Sequence, residues 1–119
     1  MKKVMIIEDD PAILDVLGIL FTRAGYIVAS HKNGNFILQN AFEIPDLFIK
    51  DNQLSGIEGL EICKHLRRMP ETVGLPVILL SASPYLQKQA SEAGANVFME
   101  KPFTNKELVQ AAADLVEAG

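Results

Sequence analysis

The sequence predicts an α/β fold, a parallel five-stranded sheet with helices on both faces. Three observations predict it. Short apolar runs alternate with segments of helical period five times along the chain. The first run, residues 3 to 7, is continuously apolar after Lys3, as a strand covered on both faces must be. Such strands run parallel only when long, right-handed crossovers join them, and the helical segments supply the crossovers.

Composition agrees and excludes other classes. At 119 residues, 49 % of them hydrophobic, the chain has the size and apolar content of one ordinary domain with a real core, read as a single unit over 1–119. A net charge of −4 argues against nucleic acid as the direct partner, since phosphate binding needs a basic face. The lone Cys63 cannot form an internal disulfide, which fits a reducing compartment. No apolar run approaches the roughly 18 residues that span a bilayer, and the run after Met-Lys-Lys meets Glu8 too soon for a signal peptide. The expectation is a soluble cytoplasmic protein with no membrane partner.

Each element has its own signals. After the first strand come Glu8, Asp9 and Asp10, then Pro11; Asp10 is a helix N-cap and Pro11 the first helical position. Ile13, Leu14, Leu17, Leu20, Phe21 and Ala24 repeat at helical spacing until Gly25 closes the helix. Tyr26 to Ala29 reads as the second strand, with a loop from Ser30 to Gly34, and Phe36, Ile37, Leu38 and Ala41 suggest a short helix. The third strand covers residues 46–50, and Asp51 stands at its end before a turn with Gly56 and Gly59. A helix follows from about Glu58 to Arg68, with Leu60, Cys63 and Leu66 on one face. Pro76 to Leu80 is the fourth strand, Tyr85 to Ala93 a weakly amphipathic helix stopped by Gly94, and Asn96 to Met99 the fifth strand. Thr104 or Asn105 caps a last helix with Leu108, Val109, Ala112, Leu115 and Val116 inward.

In sheets of this kind, sites form beyond the carboxyl ends of the strands. Those ends carry Glu8 and Asp9, Asp51, Ser81, and Lys101, whereas the second strand offers only loop residues. Taken singly, each has an ordinary reading as a solvated acid, a turn residue or a surface charge. Together they put three carboxylates, a hydroxyl and an ammonium on one edge of an apolar sheet. Clustered carboxylates raise one another's pKa unless a cation intervenes. Oxygen donors with open positions for water and phosphate favour Mg²⁺ over zinc or a full Ca²⁺ cage; His31, His65 and Cys63 form no cluster. With the metal in place, Asp51 can act as a nucleophile towards a phosphoryl group. Lys101 would pair with Asp51 and then with a phosphoryl oxygen, and Ser81 would donate a hydrogen bond that only the phosphorylated state offers.

The set Glu8-Asp9, Asp51, Ser81-Ala82 and Lys101-Pro102-Phe103 resembles the receiver domain of two-component response regulators, across essentially the whole chain. The resemblance implies a flavodoxin-like (βα)5 fold with strand order 2-1-3-4-5, known from a chemotaxis member of that family. It implies that Asp51 is the phosphoacceptor, charged by a sensor histidine kinase or a histidine phosphotransfer protein, and that the domain is not itself an enzyme. It implies that Glu8, Asp9, Asp51 and the backbone carbonyl of Gln53 hold Mg²⁺. Ser81, Ala82 and Lys101 take the phosphate-binding and switch positions, and Phe98 that of the switch aromatic, although a core Phe on a buried strand reads equally well. The Lys101–Pro102 bond is expected to be cis, an isomer far cheaper before proline than elsewhere. Phosphorylation then switches the surface of the fourth helix, fifth strand and fifth helix for an unknown downstream protein.

Departures from the family pattern are Lys50 where an apolar residue is commoner, Ser55 where many members have Pro, and a short segment between Ser81 and Lys101. Strand alternation points Lys50 away from Asp51, towards water or an acid. Gln53 and Ser83 occupy positions that tune phosphate lifetime in the family. Two other aspartyl-phosphate and phosphate-binding readings fit worse: a phosphatase needs an acid where Gln53 stands, and a nucleotide binder needs a Gly- or hydroxyl-rich loop where Glu8-Asp9-Asp10 stands. The remaining rival is a receiver fold that binds partners without being phosphorylated. The chain ends about where the fifth helix should, so no output domain is expected within it.

Overall fold

A computed structural model of the chain describes residues 1–52 and 57–118. Strands β1 (Lys3–Ile7), β2 (Ile27–His31), β3 (Leu47–Asn52), β4 (Val77–Ser81) and β5 (Val97–Glu100) alternate with helices α1 (Pro11–Arg23), α2 (Asn35–Leu38), α3 (Ile57–Arg68), α4 (Gln87–Ala93) and α5 (Asn105–Ala118). The strands form one sheet in the order β2-β1-β3-β4-β5, and every neighbouring pair is parallel. This is the flavodoxin-like doubly wound arrangement.

Alternation along the strands divides the core into two layers. Met5, Ile7, Phe48, Val77 and Leu79 face Ile37 of α2, Ile62, Cys63 and Leu66 of α3, and Ala90 and Ala93 of α4. Val4, Ile6, Leu47, Ile49, Ile78 and Leu80 face Leu17 and Phe21 of α1 and Leu108 and Ala112 of α5. The central strands are buried on both sides, which is why residues 4–7, 47–49 and 77–80 are continuous apolar runs.

The helix ends follow the sequence signals. Asp10 accepts hydrogen bonds from the main-chain N–H of Ala12 at 2.9 Å and Ile13 at 3.3 Å, with Pro11 at the first position of α1. Thr104, one of the two expected caps, accepts from Glu107 N–H at 3.0 Å and starts α5.

Three elements differ from expectation. β2 lies later than Tyr26–Ala29, because its ladder with β1 runs from Lys3↔Ile27 to Ile7↔His31 and draws the polar Ser30 and His31 into the strand. Tyr26 instead packs its ring edge-on to Phe21, 5.4 Å between centroids. β3 continues through Asp51 to Asn52, since β4 extends far enough to pair with both. Finally, a 3-10 turn at Pro84–Leu86 replaces the first turn of the expected fourth helix.

One junction ties the α3 side of the sheet together at the end opposite the strand carboxyl termini. Arg67 of α3 donates to the carbonyls of Gly94 (3.0 Å), Thr72 (3.2 Å) and Val73 (3.1 Å) and to Oδ1 of Asn96 (2.9 Å). The same Asn96 oxygen accepts from Val77 N–H at 2.8 Å, at the start of β4. Gly94 allows this approach: its φ is +101°, and an added Cβ would stand 2.7 Å from Arg67 Cγ.

Candidate functional site

The carboxyl ends of β1, β3, β4 and β5 bring the candidate residues to one edge. Glu8 directly follows β1, and its N–H donates to the carbonyl of His31 at 3.0 Å. This extends the β1–β2 contact one residue past the ladder and fixes the start of the acidic loop. The end of β2, expected to contribute only loop residues, therefore positions Glu8; the polar Ser30-His31 pair hid a strand terminus from a reading based on apolar runs. Glu8 is fully buried, and one of its carboxylate oxygens accepts from Asp10 N–H at 2.9 Å.

Asp51 is almost as inaccessible, 1 % exposed, within β3. Its register partner on β4 is Leu80, and the next pair is Asn52 with Ser81. Lys101 Nζ stands 2.7 Å from Asp51 Oδ1, so the ammonium answers a charge that burial alone would make costly. The lysine is placed from β4: its N–H donates to the carbonyl of Ser81 at 2.8 Å, and its peptide bond to Pro102 is cis. Ser81 itself is fully buried and its Oγ accepts from Ser83 N–H at 3.1 Å.

The acids interact with one another as well. The Glu8 carboxyl is pushed up to about 8, chiefly by burial and then by hydrogen bonding to the Asp51 carboxyl; the bond from Asp10 N–H pulls it down without prevailing, and Asp9 adds to the rise. Glu8, Asp9, Asp51, Ser81 and Lys101 thus come together. Ala82 follows Ser81 at the surface, and Phe98 is half-buried against the α3–α4 core layer in register with Leu79. Gln53 lies outside the described residues.

Lys50 does not reach water. It is 4 % exposed, and its Nζ donates to the main-chain carbonyl of Asp51 at 2.9 Å. Sequence reasoning flagged the residue without finding this contact, because alternation describes where a strand side chain starts and not where a long flexible one ends.

The donors are carboxylate oxygens, suited to a hard cation. Among the described residues no three His, Cys, Asp or Glu side chains form a ready metal cage. A partial set of one or two carboxylates, completed by water and phosphate oxygens, suits Mg²⁺.

A metal-free pH dependence follows from Glu8. Folded, it holds its proton up to about 8; unfolded, it releases it near 4.5. The folded state binds the extra proton in between, so this contribution to stability is complete below pH 4.5 and is lost as pH rises towards 8. Thermal unfolding in EDTA should show a falling midpoint across that window, a trend reduced in Glu8→Gln; a flat wild-type profile would contradict the shared burial of the acids.

This architecture and edge define a class, the receiver domain of two-component response regulators. The chain belongs to that family, matching the response regulator receiver domain over residues 4–113. It is 35 % identical over 112 residues to the DNA-binding dual master transcriptional regulator RpaA of Synechocystis, a match covering 92 % of this chain and 46 % of that protein. The chain therefore spans less than half the length of this curated relative. Among solved structures, the signal receiver domain of a signal transduction histidine kinase from Syntrophus aciditrophicus superposes with a TM-score of 0.88 at 26 % identity, covering 99 % of this chain and 92 % of that one. The receiver domain of sensor histidine kinase PA1611 from Pseudomonas aeruginosa, with a magnesium ion coordinated in its active-site cleft, has a TM-score of 0.85 at 22 % identity and covers 98 % of each chain. Among the described residues no helix is long and apolar enough to cross a membrane.

Proposed function

We propose that residues 1–119 act as one receiver unit in which Asp51 accepts a phosphoryl group from a phosphohistidine on a sensor kinase or phosphotransfer protein. The observation that carries this reading is the buried Asp51 carboxylate, held 2.7 Å from Lys101 at the carboxyl edge of the sheet, where Glu8 is also buried. An Asp51 oxygen forms the new P–O bond as the donor P–N bond breaks, and the donor imidazole leaves with that electron pair. Lys101 transfers its contact from the carboxylate to a phosphoryl oxygen. Ser81, reached from β4, donates its hydroxyl to another. These residues hold and orient the group; the domain is a phosphoacceptor and not an enzyme with a separate substrate.

Glu8, Asp9 and Asp51, with the Gln53 carbonyl, are the proposed Mg²⁺ ligands. When bound, the ion offsets the carboxylates' mutual repulsion and the charge developing on the transferring group. A magnesium ion in the cleft of the PA1611 receiver supports the choice of metal. Asp9→Ala should weaken Mg²⁺ binding by about tenfold or more, read by calorimetric titration; unchanged affinity would remove Asp9 from the ligand set.

Phosphorylation changes what Ser81 and Lys101 contact, and we place the resulting switch at α4, β5 and α5, with Phe98 turning inward as Ser81 moves. The downstream target is a protein. RpaA is by name a DNA-binding protein of which this chain matches 46 %. The full chain carries a net charge of −4, so we assign no nucleic-acid contact to these residues themselves. A buried, unpaired Cys63 accords with the reducing cytoplasm. Intact-mass analysis after acetyl phosphate treatment, with and without Mg²⁺, tests the proposal: one metal-dependent phosphoryl addition is expected, and none in either condition would overturn it.

A further inference from the structure

Lys50 is a charged side chain where a central strand would ordinarily bury an apolar one. Its register neighbours are Ile7 on β1 and Leu79 on β4, both core residues. Placing an ammonium there costs free energy that a leucine or methionine would not. The ammonium does not escape to solvent: it curls along the strand and donates to the carbonyl of the very next residue, the acceptor Asp51, at 2.9 Å. The β1–β3 ladder ends at the pair Ile7–Lys50, whereas β3 continues with β4 alone through Asp51 and Asn52. The bond from Lys50 therefore holds the acceptor peptide just where one flanking strand stops. It also brings the ammonium against the main chain of Asp51.

We propose that Lys50 is a positioning residue of the phosphorylation site, pinning the Asp51 peptide and countering part of the negative charge that a divalent ion and Lys101 otherwise answer. The proposal rests on Asp51 being the acceptor. A built-in cation against the Asp51 peptide repels an incoming divalent ion, so it weakens Mg²⁺ binding to the unphosphorylated protein.

The test compares Mg²⁺ affinity of the full chain by calorimetric titration in wild type, Lys50→Met, Lys50→Gln and Lys50→Arg. Loss of the charge should tighten Mg²⁺ binding about three- to tenfold in Lys50→Met, the scale of one nearby charge acting on a divalent ion through partly screened surroundings. Lys50→Gln should tighten it likewise, and it supplies the reading if Lys50→Met does not fold. Lys50→Arg, which keeps the charge, should match wild type. Neutral variants that bind Mg²⁺ no more tightly than wild type would overturn the inference. So would equal tightening in Lys50→Arg, because the effect would then come from loosened packing. Wild-type protein that acetyl phosphate fails to label would instead refute Asp51 as acceptor, an outcome separate from the titration.

Discussion

Asp51→Asn is expected to abolish phosphoryl incorporation from acetyl phosphate in the presence of Mg²⁺, leaving the intact mass unchanged. The amide matches the carboxylate in shape, so the surrounding packing of β3 against Leu80 is retained. What it removes is the anionic oxygen that would form the new bond and the partner of Lys101 at 2.7 Å. No other acid takes its place: Glu8 holds its proton up to about 8 in the metal-free protein, and Asp9 is exposed at the rim. The substitution has a second consequence. Asp51 is among the groups that raise the Glu8 carboxyl, so Asp51→Asn should also shallow the loss of metal-free stability towards pH 8. A mutant that still gains a phosphoryl group would show that the acceptor is elsewhere, and the pH profile would then report only on burial.

Gly94→Ala should be the most damaging single-methyl change away from the site, lowering stability by about 2–4 kcal/mol. Two causes add. Alanine at φ +101° is strained, and its Cβ would stand 2.7 Å from Arg67 Cγ, close to the root of a side chain held by hydrogen bonds to Gly94, Thr72, Val73 and Asn96. Gly25 supplies the control. Its φ is +96°, yet an added Cβ there meets nothing within 4 Å, so Gly25→Ala carries the backbone strain alone and should cost about 1–2 kcal/mol. Urea unfolding midpoints of the two variants measure the difference. Equal losses would mean that the Arg67 junction yields freely and adds nothing.

The alternation of apolar and helical segments was legible because β1, β3 and β4 are buried on both faces, and residues 4–7, 47–49 and 77–80 within them are unbroken apolar runs. The edge strand β2 is less covered, with Ile27 half exposed, so burial imposes no such run and its end at His31 could not be seen without the β1 ladder. The same ladder reveals how Glu8 is fixed. At the candidate site, residue type and position at strand ends singled out Glu8, Asp9, Asp51, Ser81 and Lys101 because each follows or closes a strand. Lys50 was legible only as an anomaly. Its placement depends on several side-chain torsions and on an acceptor one residue away, neither of which hydrophobic periodicity encodes. The Arg67 junction escaped for a related reason. Its acceptors are mostly main-chain carbonyls in loops, and a carbonyl leaves no mark on the sequence.

The Lys101–Asp51 pair joins the segment after the last strand to the middle strand, and Glu8, at the end of the first, feels the Asp51 carboxyl. During synthesis Asp51, the proposed acceptor, emerges well before the lysine that answers its charge. A partly made chain would present the acid without its counter-ion, and a fragment ending before β5 would be unable to complete the pocket. Under the proposed function, a chain whose sheet has not closed from its first strand to its fifth would lack the ammonium that stands 2.7 Å from Asp51.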